Sequence, residues 1–412
     1  MIQYDRFVLD NGLRVIVHED HSTPMAVVDV MYDVGARDED PNKTGFAHLF
    51  EHLMFGGSIN IPEYDDALQI AGGENNAYTT NDYTNYYIQL PAENLETAFW
   101  LESDRMLSLA FSKKSLDVQR KVVSEEFKEH YINKPYGDVW HKMRELCYKQ
   151  HPYRWMTIGK DLSHIENAKL ADVKNFFFKH YRPVNAILVV AGHVQLDKVK
   201  ALAEKWFGPL AMGEKYVRNL PQEPKQTEAR MLDVEANVPL DAFYKNWHIA
   251  SRLDKGYYTA DLMGDILSGG GSSRLYQALV KEKKLFSQVD CYHMGSVEPG
   301  LLTIDGKLVK GVKMEDAEKA VQEEVDKMRT QLVSEAELQK VKNKTESMIA
   351  FEDMSVMNRA NSLATYELLG NAEMMNTELM RYQQVTVEDI KEAANEIFSE
   401  SNSSTMHYFS RN

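Results

Sequence analysis

The chain has 412 residues, too many for one ordinary domain and enough for two of about 200, each able to bury a core. Its 47 Lys and Arg face 62 Asp and Glu, a net charge of −15 that repels phosphate backbones and argues against nucleic acid as a partner. No run approaches the roughly 18 continuous apolar residues of a membrane helix, and Cys147 and Cys291 are too few and too far apart for a disulfide framework or a zinc ribbon.

Residues Met1 to Arg6 lack a basic segment leading into an apolar one, so no secretory signal is expected and the cytoplasm is the expected compartment. Phe7 to Val17 reads as a hairpin turning on Asn11-Gly12, the pair best suited to positive φ in a two-residue turn. A strand follows at Met25–Tyr32, then a polar loop, Asp38 to Lys43, with Pro41 holding Asp40 out of a helix. Next come a strand at Thr84–Leu90 and helices at Asn94–Leu107 and Ser115–His130. The apolar run Asn185–Gly192 predicts a buried strand, and Leu196–Phe207 an amphipathic helix after it.

From Gly208 to Arg230 the pattern lapses into charged, proline-bearing sequence, the best linker candidate. Beyond it the order recurs. Strands are expected at Met231–Val238, Ala242–Trp247 and Gly300–Asp305, with helices at Tyr257–Leu267 and Met314–Met328 and a capping box at Ser334 and Glu337. Strands and helices mix without strict alternation, which predicts an α+β protein of two similarly built α/β-sandwich domains. Each would be a mostly antiparallel sheet covered by helices. The expected division is 1–212, a linker at 213–230, and 231–412.

Thr44 to Gly56 contains H-x-x-E-H. At about 100° per helical residue, His48, Glu51 and His52 share one face. Imidazoles four apart can hold one metal ion, and the carboxylate between them can hold a water beside it. Ala47, Leu49, Phe50 and Leu53 make the rest of the helix apolar, where uncompensated polar groups would be costly. The bland alternative is a buried helix with two satisfied histidines and an ion-paired glutamate.

The surroundings of the motif favour the metal. Gly45-Phe46-Ala47-His48-Leu49-Phe50-Glu51-His52, Gly72-Gly73, Asn76-Ala77-Tyr78-Thr79, Val122-Val123 with Glu126, His151-Pro152-Tyr153 and Tyr181-Arg182-Pro183 resemble the pitrilysin, insulysin and mitochondrial processing peptidase family of inverted-motif zinc peptidases. The resemblance implies one zinc per chain on His48, His52 and a downstream glutamate, Glu126 or else its neighbour Glu125, with Glu51 as general base. It implies that Asn76 and Ala77 lie on an edge strand to which an extended peptide adds. Where the family often carries another glutamate, seven residues before the third ligand, this chain has Gln119, which can hydrogen-bond a ligand but adds no charge.

The second half departs further. Val280 and Ser287 stand where the family places a substrate-facing Arg and Tyr, and Arg274 and Tyr276 lie nearby at the wrong spacing. The domain 231–412 is therefore expected to be metal-free. A dimer is expected, with a metal-free homologous subunit supplying the Arg and Tyr, or else a homodimer. The expected function is a zinc metalloendopeptidase acting on extended or unfolded peptides. The alternatives are a non-catalytic peptide-binding or scaffolding subunit of a protease-like complex, and a metal-independent structural protein.

Overall fold

The computed structural model describes residues 1–411. They form two compact units, each discontinuous in sequence. The first comprises residues 1–132, 151–221 and 350–376; the second comprises 133–150, 222–349 and 377 onward.

The first unit is built on a six-stranded sheet of β1 (Asp5–Val8), β2 (Arg14–Glu19), β3 (Met25–Tyr32), β4 (Glu74–Thr79), β5 (Thr84–Pro91) and β6 (Ala186–Gly192), in the order β1-β2-β6-β3-β5-β4. Only β2 and β6 run parallel; the other neighbours are antiparallel. Side chains alternate across a strand, so each run of branched residues feeds two faces. Val15, Val17, Val28, Val30, Leu188 and Val190 enter the core beneath the motif helix, Phe46–Leu53. Ile16, Val27, Met31, Ile187, Val189 and Ala191 meet Ala360, Leu363 and Ala364 of the Val356–Leu368 helix on the opposite face. Cover on both faces explains why β6 is apolar along its whole length.

The second unit repeats the plan with β7 (Arg230–Ala236), β8 (Ala242–His248), β9 (Phe286–Met294), β10 (Leu301–Leu308) and β11 (Ser403–Ser410), ordered β7-β11-β8-β10-β9. Again one pair is parallel, β7 with β11. Counting from β2 in the first unit and from β7 in the second, both sheets read first-fifth-second-fourth-third. The capping box forms: Ser334 Oγ accepts from the Glu337 N–H at 3.2 Å, and Glu337 accepts from the Ser334 N–H at 3.2 Å.

Two expectations differ from what is found. The hairpin closes on three residues, Asp10 to Gly12, because Leu9 and Leu13 still pair and only Gly12 takes positive φ, 84°. Asn11 instead turns its amide inward to the carbonyls of Phe207 and Leu210, at 2.7 and 3.1 Å. The chain changes units at Pro221, inside the segment expected as a linker, but two helical segments change sides as well. The Val139–Cys147 helix buries Val139, Met143 and Cys147 within the second unit, and the Cys147 carbonyl meets His248 Nε2 at 3.0 Å. The Val356–Leu368 helix covers the first sheet. The early part of the expected linker is fastened rather than loose: Arg218 pairs with Asp33 and Asp38 at 2.8 and 2.7 Å. Among the described residues, no helix is long and apolar enough to cross a membrane.

Leu363 is fully buried against the first sheet, so Leu363→Ala should cost about 2–5 kcal/mol. Hydrogen exchange should show faster amides in β3 and β6 with β8 and β10 unchanged; the reverse pattern would place this helix on the wrong unit.

Candidate metal centre and its surroundings

The motif helix begins where it must. Gly45 has φ of 87°, and a Cβ there would lie 2.6 Å from the Ile158 carbonyl oxygen and 2.7 Å from Ile165 Cδ1. The apolar face of the helix sinks into the core, with the Phe50 ring stacked 5.0 Å from Phe176 and 5.3 Å from Tyr181. That burial turns His48, Glu51 and His52 toward the Lys113–Phe127 helix and β4.

Glu126 comes from the Lys113–Phe127 helix to meet them. Its two carboxylate oxygens lie 3.7 Å from His48 Nε2 and 3.5 Å from His52 Nε2. One donor atom from each residue lies within 4.8 Å of the others, and this is the one such cluster among the described residues. Glu125 faces away, 73% exposed and paired with Lys128 at 2.9 Å. Gln119 is half-buried two turns before Glu126. Among the described residues it makes no hydrogen bond to His48, His52 or Glu126.

The donor set fits zinc. Two bonds of about 2.1 Å at a tetrahedral angle place their far ends about 3.4 Å apart, close to the separations found here and longer than good hydrogen bonds. Burial pushes the His48 imidazolium well below its usual range, leaving a neutral ring with a lone pair to give. Its Nδ1 is buried without a partner among the described residues, which makes a charged ring costlier still. The neighbouring His52 holds Glu126 below the usual carboxylate range, against the effect of burial. The His52 and Glu126 side chains keep 24% and 34% of their exposure, so one corner of the site faces solvent.

Glu51 stays out of this cluster. Its Oε2 accepts a 2.6 Å hydrogen bond from Thr79 Oγ1, at the end of β4. Burial raises the Glu51 carboxyl, and the Thr79 hydroxyl opposes that rise. Sequence reasoning did not assign Thr79 a role. The available signal was the two-residue period of a strand, which puts it on the same face as Ala77.

Asn76 and Ala77 lie on β4, an edge strand paired only with β5, Asn76 opposite Tyr87 and Ala77 opposite Tyr86. The Asn76 side-chain oxygen accepts from the Ala77 N–H at 2.8 Å. In the second unit Val280 packs against the core, while Ser287 donates to the Lys307 carbonyl at 3.0 Å. Arg274 forms a two-pronged pair with Glu337, both contacts at 2.9 Å, so its guanidinium is already engaged.

The insulinase (peptidase family M16) model matches residues 14–152, which include His48, His52 and Glu126, and the peptidase M16 inactive-domain model matches residues 167–345. The zinc protease PqqE of Helicobacter pylori is 30% identical over 410 residues, spanning 98% of this chain and 92% of its own. This chain belongs to the M16 peptidase family. The uncharacterized zinc protease YmxG of Bacillus subtilis is 23% identical over 399 residues, 96% of both chains. A crystal structure of a protease from Helicobacter pylori superposes with a TM-score of 0.92 at 29% identity, covering 99% of this chain and 100% of that one.

Thr79→Val keeps the side-chain shape and removes the donor to Glu51. In metal-free protein the Glu51 carboxyl should then protonate at a higher pH than in the wild type, because burial is no longer opposed. A carboxyl-carbon NMR titration checks this, and equal midpoints would count against a role for Thr79.

Proposed function

We propose that this chain is a zinc metalloendopeptidase that hydrolyses extended or unfolded peptides, with one zinc on His48, His52 and Glu126 and with Glu51 as general base. The observation that carries this reading is the approach of one donor atom from each of three residues to within 4.8 Å, with a separate carboxylate beside them. Zinc in such a site supplies Lewis acidity and lowers the pKa of a water toward about 7.

The residues of the chain supply the rest. Thr79 occupies Oε2 of Glu51, leaving Oε1 to take a proton from the attacking water and return it to the leaving amine. A carboxyl raised by burial is better matched to that exchange near neutral pH than an ordinary glutamate. An extended peptide adds to the open edge of β4, its main chain pairing there as another strand. The Asn76 side chain, now on the Ala77 N–H, gives way to a peptide carbonyl. Main-chain pairing reads few side chains, so selectivity should be loose.

The absence of an Arg and a Tyr at positions 280 and 287 supports a dimer, formed with a metal-free homologous subunit that supplies them or, failing that, with a second copy of this chain. A non-catalytic, peptide-binding role is the alternative. Retention of both the donor set and the base weighs against it.

Metal analysis after dialysis, run beside Glu51→Gln, tests the reading. The wild type should retain one zinc per chain and cleave unfolded peptides. The variant should retain zinc and lose about 10²–10⁴-fold in kcat. Wild-type protein without zinc would defeat the assignment. The dimer should show in a sedimentation run, with cleavage rising on addition of the partner; full-rate cleavage by a lone monomer would remove the need for one.

A further inference from the structure

The motif helix has only eight residues, and a short helix leaves its first N–H groups without partners in the helix itself. The usual remedy is a Ser, Thr, Asp or Asn at the N-cap. Here that position is Gly45, which makes no side-chain cap. A larger residue would strike the Ile158 carbonyl, and φ there is 87°. The cap must therefore come from elsewhere in the chain.

Glu39 provides it from six residues upstream. Its Oε2 accepts from the Gly45 N–H at 2.9 Å, and its Oε1 accepts from the Ala47 N–H at 2.8 Å. The Trp155 indole N–H also donates to Oε2, at 3.1 Å, and to the Ala36 carbonyl at 2.9 Å. Glu39 and Trp155 are 6% and 1% exposed. The three groups donating to Glu39 are neutral N–H groups, two of the backbone and one of the indole, so its oxygens are not engaged in an ion pair.

A buried carboxylate is an expensive way to cap a helix. Its location gives the reason. Ala47 immediately precedes His48, and His52 follows one turn later on the same face. One carboxylate bonded to both ends of the Gly45–Ala47 segment fixes the pitch and rotation of the first turn. That rotation decides whether the two imidazoles meet Glu126. Burial pushes the Glu39 carboxyl up to about 8, and the Ala47 and Gly45 N–H groups oppose that rise.

We propose that Glu39 is a positioning residue of the metal centre, the remote N-cap that sets the motif helix in the rotation its two histidines need. This rests on the metallopeptidase reading of that centre. Glu39 touches neither substrate nor metal; it acts through the backbone of residues 45 and 47.

The test compares zinc affinity, by competition with a chelator, in wild type, Glu39→Gln, Glu39→Ala and Leu363→Ala. Glu39→Gln keeps the volume but puts an amide NH2 against an N–H donor. It should remain folded by circular dichroism, exchange the amides of residues 45–49 faster in zinc-free protein, and bind zinc about tenfold more weakly or worse. Leu363→Ala destabilises the same unit away from the helix and should bind zinc as the wild type does, which separates positioning from stability. Zinc affinity in Glu39→Gln and Glu39→Ala equal to a zinc-binding wild type overturns the role of Glu39 alone. A wild type that binds no zinc overturns the metallopeptidase reading and this inference with it.

Discussion

One constraint governs the first unit: a carboxylate on one helix has to stand about 3.5 Å from two imidazoles on another, with no covalent link between them. An error of one ångström would either close the gap into direct hydrogen bonds or carry the donors out of reach of a single ion. The structure meets this demand with rigid, apolar packing rather than with polar contacts at the site. Phe50 stacks on Phe176 and Tyr181 beneath the motif helix, and Leu116, Val123 and Phe127 anchor the helix that bears Glu126. The polar groups then extend from two well-packed helices. Burial in these surroundings strongly disfavours the charged form of His48.

Glu51 is held by a different element from the three converging donors. It shares the helix of His48 and His52, but its hydrogen bond runs to Thr79, at the end of the edge strand. On the proposed reading, a peptide adding to β4 would take its register from the same strand that orients Glu51. Asn76 and Ala77 lie three and two residues from Thr79 on that strand, so its pleat fixes their spacing from the Glu51 contact. A loop could not provide this, because its backbone would not hold the spacing.

Local information was legible in the sequence, and information about which segment meets which was not. H-x-x-E-H shows its common face within five residues, and the run Ile187–Ala191 announces a strand buried on both sides. Ser334 and Glu337 cap a helix by a rule that spans four positions. The exchange of the Val139–Cys147 and Val356–Leu368 helices leaves no such mark. An apolar stripe says that a helix is covered, never which sheet covers it. Glu39 was hidden for the same reason: Gly45 looks like an ordinary turn glycine until the Ile158 carbonyl is seen beside it. At Asn11-Gly12 the turn rule considered only the backbone, whereas the Asn11 amide is committed to Phe207 and Leu210.

The shared strand order of the two sheets points to duplication of one plan, and the units differ in how they use their polar groups. In the second unit the helix that follows the first two strands, Lys255–Ser268, carries Asp261 and Asp265 and no histidine. Asp261 accepts from His293 and Tyr382, at 2.9 and 2.6 Å, and Asp265 pairs with Lys344 at 2.6 Å. Arg274 is bound to Glu337, and Glu378 accepts from Arg252 and Tyr258. These groups satisfy one another, which leaves none poised around an open position. In the first unit His48, His52 and Glu126 stand too far apart to satisfy one another and too close to ignore one another. A site is chemically useful when its donors converge and remain unspent, and that difference, more than any difference of fold, separates the two halves of the chain.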